Sequence, residues 1–227
     1  MSELVKVKRN LEKDARNWWE ANNQLSYGYD FSKNISEEIR KKVKGKKWSE
    51  TKNFLKLMIK KKYKQENGLN FLQNEFLLYW DQKEKEIINI LNKIHNSKFP
   101  VEFVNIYYTS CKRCPYGKEG KGFWIQLNEY NKNKDFLASI IIHELMHLYF
   151  WRYYGNLCLK KGLTREQAED IKEAFTILMN EEFRGVVNAK DAGYEIHQKI
   201  RNFILREWKK SNDFKKVLLS TIDFIKK

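Results

Sequence analysis

The chain has 227 residues, of which 42% are hydrophobic, so it is long enough to form one sizeable domain with its own core. Three cysteines are too few for a disulfide framework, and the first residues lack the apolar stretch of a signal peptide, so we predict a cytoplasmic protein. The most apolar stretch, residues 136–151, is interrupted by charged and imidazole side chains, which argues against a membrane span and a membrane partner.

The positive charge is concentrated at the beginning of the chain. Residues 1–64 contain 18 Lys and Arg against 8 Asp and Glu, so +10 of the net charge of +15 lies in this region. Such a surface could attract nucleic acid or another polyanion. Because lysine greatly outnumbers arginine and the chain is rich in Asn and Ile, we favour a solvated basic face that reflects composition.

The sequence predicts helices in the first part of the chain and two strands after them. Apolar spacing predicts helices around residues 11–19, 54–59 and 71–94, and residues 1–98 are expected to form a helical N-terminal region packed on residues 99–227. Two runs of β-branched and aromatic residues, 101–108 and 122–127, predict strands. We therefore expect a mainly helical α+β fold with a small sheet.

Helices are predicted again after the strands. Asp135 is a plausible N-cap for a helix that continues to about residue 154. Thr164 and Gln167 have the spacing of a capping box, which predicts a second helix that ends near residue 184. Asp191 is expected to cap a third helix.

The first of these helices carries the sequence His143-Glu144-Leu-Met-His147. Residues four apart project from the same helix face, so the two histidines can bind one Zn²⁺ ion while Glu144 lies beside them. Zinc lowers the pKa of a bound water to about 7, and a neighbouring carboxylate can accept its proton as the water attacks a carbonyl. This combination predicts hydrolysis of a peptide or protein substrate.

The neighbours of this motif are uncharged and mostly apolar, which favours a buried site. A buried carboxylate such as Glu144 costs several kcal/mol unless a metal or a partner compensates it. Only four histidines occur in the chain, and two of them are here. The alternative is a pair of core histidines with a paired glutamate.

At these residues the sequence resembles the zincin metallopeptidases, over about residues 101–205. The resemblance implies a zincin-like catalytic domain in residues 99–227, with the motif on an active-site helix. It also implies an edge strand ahead of that helix which lines the substrate cleft, and residues 122–127 are in the right place for it.

The third ligand distinguishes the branches of this family. The metzincin type needs Gly and His after the motif, where this chain has Phe150 and Tyr153. The gluzincin type takes a Glu from the following helix, and Glu166, Glu169 and Glu173 share one face there. The chain is therefore expected to be gluzincin-like.

Glu173 is the favoured third ligand, with Glu169 as the next candidate. The helix dipole favours an acidic residue such as Glu166 in the first turn without any metal. Glu173 and the alanine after it are similar to the ligand segment of thermolysin-like enzymes. Residues 172–180 also resemble the second motif of a group of small bacterial gluzincin-like proteins.

One position departs from that pattern. Thermolysin-like enzymes have an Asp four residues beyond the ligand Glu, where it orients a histidine, whereas this chain has Ile177. We expect Glu169, Asp170 or Asn180 to accept a histidine N–H instead.

A catalytic site of this type also needs a donor for the oxyanion that develops during the reaction. Tyr194, His197 and Arg201 are spaced by three and four residues, so one helix face would carry all three. Because thermolysin-like enzymes draw Tyr and His donors from beyond the motif helix, we predict His197 first and Tyr194 second. The alternative is that both side chains only bond neighbouring loops.

Two alternatives to an active peptidase are open at this point. The chain could be a basic nucleic-acid-associated protein whose zinc site is secondary or inactive, or a scaffold that binds metal without turnover. Cys111 and Cys114 have zinc-knuckle spacing, with Cys158 as a lone further candidate, but a turn between strands is the favoured interpretation.

Overall fold

The fold is known from a computed structural model. It describes residues 4–25, 29–65, 69–114, 122–126, 133–188 and 190–226. The described chain is mainly helical with one small sheet, as the sequence predicts. Two compact units are present: unit 1 is Met1–Leu78 with Phe103–Lys132, and unit 2 is Tyr79–Glu102 with Asn133–Lys227. Each unit therefore contains residues from both sides of the boundary predicted at residue 98.

The sheet belongs to unit 1 and has three parallel strands in the order β1-β2-β3. Strands β2 (Val104–Thr109) and β3 (Gly122–Gln126) confirm the two predicted strands, and β3 lies at an edge of the described sheet. Leu127, the last residue of the predicted second strand, lies outside the described residues. Strand β1 (Val5–Lys8) was not predicted, because its two valines stand in a charged segment without a longer alternation.

Unit 1 contains α1, α2, α3 and residues 69–78 of α4, and the rest of α4 belongs to unit 2. They are α1 (Leu11–Asn23), α2 (Glu37–Val43), α3 (Trp48–Gln65) and α4 (Leu69–His95), with a short 3₁₀ helix at Phe31–Asn34. Ala15 and Ala21 are fully buried, and their small side chains let α1 approach α3 closely. Leu55 and Ile59 of α3 are fully buried in the same apolar cluster. The three helices predicted in this region are confirmed, and α2 was missed.

Unit 2 contains the remaining helices. They are α5 (Lys134–Tyr153), α6 (Gly155–Lys160), α7 (Arg165–Phe175), α8 (Met179–Glu182), α9 (Gln198–Ser211) and α10 (Phe214–Ile225), with 3₁₀ turns at Thr176–Leu178 and Glu195–His197. Helix α5 buries residues on most of its circumference, which is typical of a helix at the centre of a core. It carries the predicted motif.

Three boundaries differ from prediction. Asn133 caps α5, and Asp135 instead lies in the first turn, where it bonds Tyr79. The Thr164 capping box is present, but α7 ends at Phe175 and a 3₁₀ turn separates it from α8. Asp191 is not a cap, because α9 begins only at Gln198 and the Asp191 side chain has other partners.

Among the described residues, no helix combines the length and the apolar character that crossing a membrane requires.

Candidate metal centre

The two motif histidines lie one turn apart on α5, with ring centroids separated by 4.4 Å. Apolar residues around them bury the His147 side chain to 3% exposure and leave the His143 side chain 21% exposed. The Nε2 atoms of both rings face the same carboxylate. This is the convergence that the four-residue spacing predicts.

Glu173 of α7 supplies that carboxylate. Its Oε1 lies 3.2 Å from His147 Nε2, and its Oε2 lies 3.4 Å from His143 Nε2. One ligand atom from each of the three residues lies within 4.8 Å of the others, and two imidazoles with one carboxylate are the ligand types of a catalytic zinc site. Within the described part of the chain, the three residues are the one group of this kind, and it includes neither Glu166 nor Glu169.

Asp191 orients His143 from its other side. The Asp191 Oδ1 lies 3.3 Å from His143 Nδ1. The Asp191 Oδ2 accepts hydrogen bonds from the Thr176 hydroxyl at 2.6 Å and from Arg201 at 2.9 Å. Asp191, and not a residue near position 177, is therefore the carboxylate that contacts the far nitrogen of His143, and such a contact fixes the orientation of a histidine ring.

Asp191 was not predicted to be the partner of a histidine. Asn180, one of the predicted partners, instead holds the Asp191 backbone by two hydrogen bonds, of 2.8 and 2.9 Å. Asp170 lies 3.0 Å from His197 Nε2. The local sequence could not indicate the true partner, because Asp191 comes from the irregular segment after α8.

The segment around Asp191 depends on Gly193 and Arg201. Arg201 is only 1% exposed, and its guanidinium donates to both the side chain and the backbone carbonyl of Asp191. Gly193 has a φ of +64°, and a Cβ atom there would collide with that guanidinium. The sequence does not indicate this contact, because the burial of Arg201 is not visible in it, and Arg201 was predicted only as part of a helix face.

Glu144 is the partly buried acid of the site. Burial raises the pKa of Glu144 to about 7, against the opposing charges of His143 and Lys172. Its Oε2 is buried and has no hydrogen-bond partner among the described residues. A carboxyl group with a pKa near neutrality and an unused oxygen is suited to proton transfer.

The carboxylates around His143 stabilise a positive charge on that ring, whereas burial and the charges of His143 and Lys172 lower the pKa of His147 to about 3. Burial opposes the charged form of His143, but its contacts with Asp191 and Glu173 outweigh this and raise its pKa. Burial also opposes ionisation of Glu173, and the contacts with His147 and His143 nevertheless hold the pKa of that carboxyl well below its usual range. A metal would replace the proton held there, so metal affinity should increase with pH.

The two predicted oxyanion donors lie beside each other. His197 is buried, its Nε2 faces Asp170, and its Nδ1 has no partner among the described residues. Tyr194 is 55% exposed, and its ring contacts the His197 ring edge-on at 5.7 Å. The structure does not bring either residue into the metal-ligand group, and their catalytic role stays a prediction.

All three cysteines are free thiols. Cys111 is buried and Cys114 partly exposed in unit 1, and Cys158 is buried in unit 2. None of them belongs to a metal-binding group among the described residues. Burial raises the pKa of Cys111 to about 11 and that of Cys158 to about 11, so both favour the neutral thiol.

Comparison of the chain with protein-family models, with curated proteins and with solved structures gives no match. The resemblance to zincins therefore rests on the motif residues, and the function has to be argued from the chemistry of the site.

Proposed function

We propose that unit 2 is a zinc-dependent metallopeptidase of the gluzincin type. One observation carries the proposal: two imidazoles and one carboxylate converge beside a partly buried carboxyl group, Glu144, whose Oε2 is buried and has no described hydrogen-bond partner. Two core histidines with a paired glutamate would account for the ligand contacts. That interpretation gives no reason for the unpartnered Oε2 of Glu144.

Zinc is the proposed metal because catalytic zinc sites use two histidines and one glutamate with a fourth position left open. His143, His147 and Glu173 would hold it, and Asp191 would fix the orientation of His143. When bound, zinc would supply Lewis acidity toward the peptide carbonyl and increase the acidity of water.

Glu144 is the proposed general base and acid. Its unpartnered Oε2 accepts a proton from the water that attacks the peptide carbonyl carbon. The C–N bond then breaks, and the same carboxyl returns the proton to the leaving amine nitrogen.

The fold supports this proposal at a coarser level. The motif helix α5 precedes α7, which carries the proposed third ligand Glu173, with the short α6 between them, and the gluzincin resemblance implies that a later helix carries this ligand. The free cysteines also support the proposed cytoplasmic location, where thiols stay reduced. The alternative of nucleic-acid binding rests on the basic residues 1–64, and a salt-sensitive gel shift would reveal it.

The experiment is cleavage of a peptide library by the zinc-loaded full chain, with products identified by mass spectrometry. Wild type should yield new amino termini, and a chelator should stop the reaction reversibly. His147→Ala should yield none. Cleavage by His147→Ala at the wild-type rate, or no cleavage by zinc-loaded wild type, would contradict the proposal.

A further inference from the structure

A buried lysine stands directly beside the proposed third ligand. The side chain of Lys172 is 3% exposed, and its Nζ lies 3.0 Å from Glu173 Oε1. The same Nζ lies 2.8 Å from Glu169 Oε2. Burial of an ammonium group is costly, and here the carboxylates of Glu169 and Glu173 offset that cost. If this position only stabilised the core, an apolar residue of similar volume would often give equal or greater stability.

The contact with Lys172 gives the two carboxylate oxygens of Glu173 different neighbours. Oε1 faces both Lys172 and His147, whereas Oε2 faces His143. A glutamate can bind a metal through one oxygen or through both. Binding through both would use coordination space that a catalytic zinc site keeps open for water.

We propose that Lys172 is a positioning residue that holds Oε1 of Glu173 and so restricts this glutamate to one-oxygen metal binding. The inference rests on the proposed metal site. It goes beyond that site by identifying Lys172 as the residue that keeps one coordination position of the metal open for water. The hydrogen bond from the ammonium competes with the metal for Oε1. The positive charge also weakens metal binding, because two cations at this distance repel each other.

Glu169 moderates both effects. Its carboxylate shares the ammonium of Lys172, and its other oxygen lies 3.3 Å from Arg165 Nε. Without that carboxylate, the whole charge of Lys172 would act on Glu173 and on the metal. The proposal therefore predicts opposite results for two neighbouring substitutions, whereas a structural role would lower metal affinity in both.

The test uses Co²⁺ in place of zinc, because the visible absorption of Co²⁺ reports its ligand set. Affinity is measured on the full chain by competition with a chromogenic chelator. Lys172→Met should bind Co²⁺ about tenfold more tightly or better, with an altered absorption band, while peptide hydrolysis falls. Glu169→Gln should bind about three- to tenfold more weakly with the wild-type band. The matched control is Lys160→Met, which removes an exposed lysine of unit 2 and should leave affinity and band unchanged.

Several outcomes would overturn the inference. Unchanged or weaker Co²⁺ binding by folded Lys172→Met would do so, and so would complete loss of metal from Glu169→Gln, which would make Glu169 a ligand. If Lys172→Met does not fold, the Co²⁺ affinity of Glu169→Gln is the test. Wild-type Co²⁺ affinity in Glu169→Gln would contradict the inference. Absence of Co²⁺ binding by wild type is a distinct result that removes the proposed metal site itself.

Discussion

Each unit contains a carboxylate with a buried oxygen, and the hydrogen-bond partners of that oxygen differ between the units. In unit 1, Asp14 is fully buried, and its oxygens accept hydrogen bonds from Thr109 at 2.6 Å, from Tyr63 at 2.7 Å and from the Ser110 hydroxyl at 3.0 Å. Burial raises the pKa of Asp14, and these bonds oppose the increase. In unit 2, Glu144 has an oxygen without any described partner.

The difference separates a carboxylate that holds a fold together from one that is available for chemistry. Every strong acceptor position of Asp14 is matched by a neutral donor, so the network joins α1 to the end of β2 and leaves nothing for a ligand. The unit 2 cluster contains two imidazoles that face one carboxylate and a carboxyl group with spare capacity. A carboxyl group with a shifted pKa beside a cluster of ligand-type side chains is typical of functional sites.

The largest expected effect concerns Glu144. Glu144→Gln keeps the shape and removes the proton acceptor, so peptide hydrolysis should fall by about 10³-fold or more while zinc stays bound. Turnover is measured by peptide cleavage, and zinc content is measured on the same sample. Retained turnover in protein free of wild type would remove Glu144 from its role as base.

Asp191 should have the next largest effect. Asp191→Asn weakens its hold on the His143 ring, so zinc affinity should fall by about 10- to 100-fold. Asp170→Asn is the matched control, because that carboxylate faces His197 instead. Equal zinc affinities of the two variants, measured by chelator competition, would show that Asp191 does not support the site.

Asp14 tests the structural side of the comparison. Asp14→Asn leaves some donors of Tyr63, Thr109 and Ser110 without an acceptor, so the free energy of unfolding should decrease by about 2 to 3 kcal/mol. Zinc affinity should not change. Urea denaturation and chelator competition check the two parts, with exposed Glu37→Gln as the control. A change in zinc affinity without loss of stability would mean that Asp14 supports the metal site and not the fold.

The smallest expected effect is on acid stability and concerns His95. Both of its ring nitrogens are buried without a described partner, and burial lowers the pKa of His95 to about 3. The unfolded chain takes up this proton below about pH 6.5, whereas the folded chain does not until about pH 3, so stability is lost as the pH falls between these values. His95→Phe keeps a ring against Tyr149 and Phe214 and removes this loss.

The measurement is urea denaturation of metal-free protein at pH 7 and at pH 5. The decrease in unfolding free energy between the two should be smaller by about 2 kcal/mol in His95→Phe than in wild type. Equal decreases in the two proteins would mean that His95 is protonated in the folded chain.

Local patterns were sufficient to predict much of the site and of the fold. The spacing of His143 and His147 in an apolar helix predicted their convergence, and the choice of Glu173 over Glu166 agrees with the group that the structure brings together. Long amphipathic or apolar runs predicted α1, α3, α4 and α5. These features depend on residues close in sequence, for which periodicity is informative.

The features that were missed depend on contacts between distant segments. Asp191 has the sequence of a helix cap, and only the approach of α5 and Arg201 shows that it bonds a histidine. The burial of Lys172 was invisible because a lysine on a helix is usually at the surface. Strand β1 is defined by pairing with β2, from which it is separated by most of unit 1.

The central claim is that His143, His147 and Glu173 bind one zinc ion, and zinc titration of purified full chain tests it most directly. Wild type should bind one zinc per chain, released by chelator with a decrease in melting temperature, because a bound ligand stabilises the native state. Glu173→Ala should lose this binding, and Glu166→Ala should keep it. Zinc binding that is absent in wild type, or that is equal in wild type and Glu173→Ala, would contradict the account.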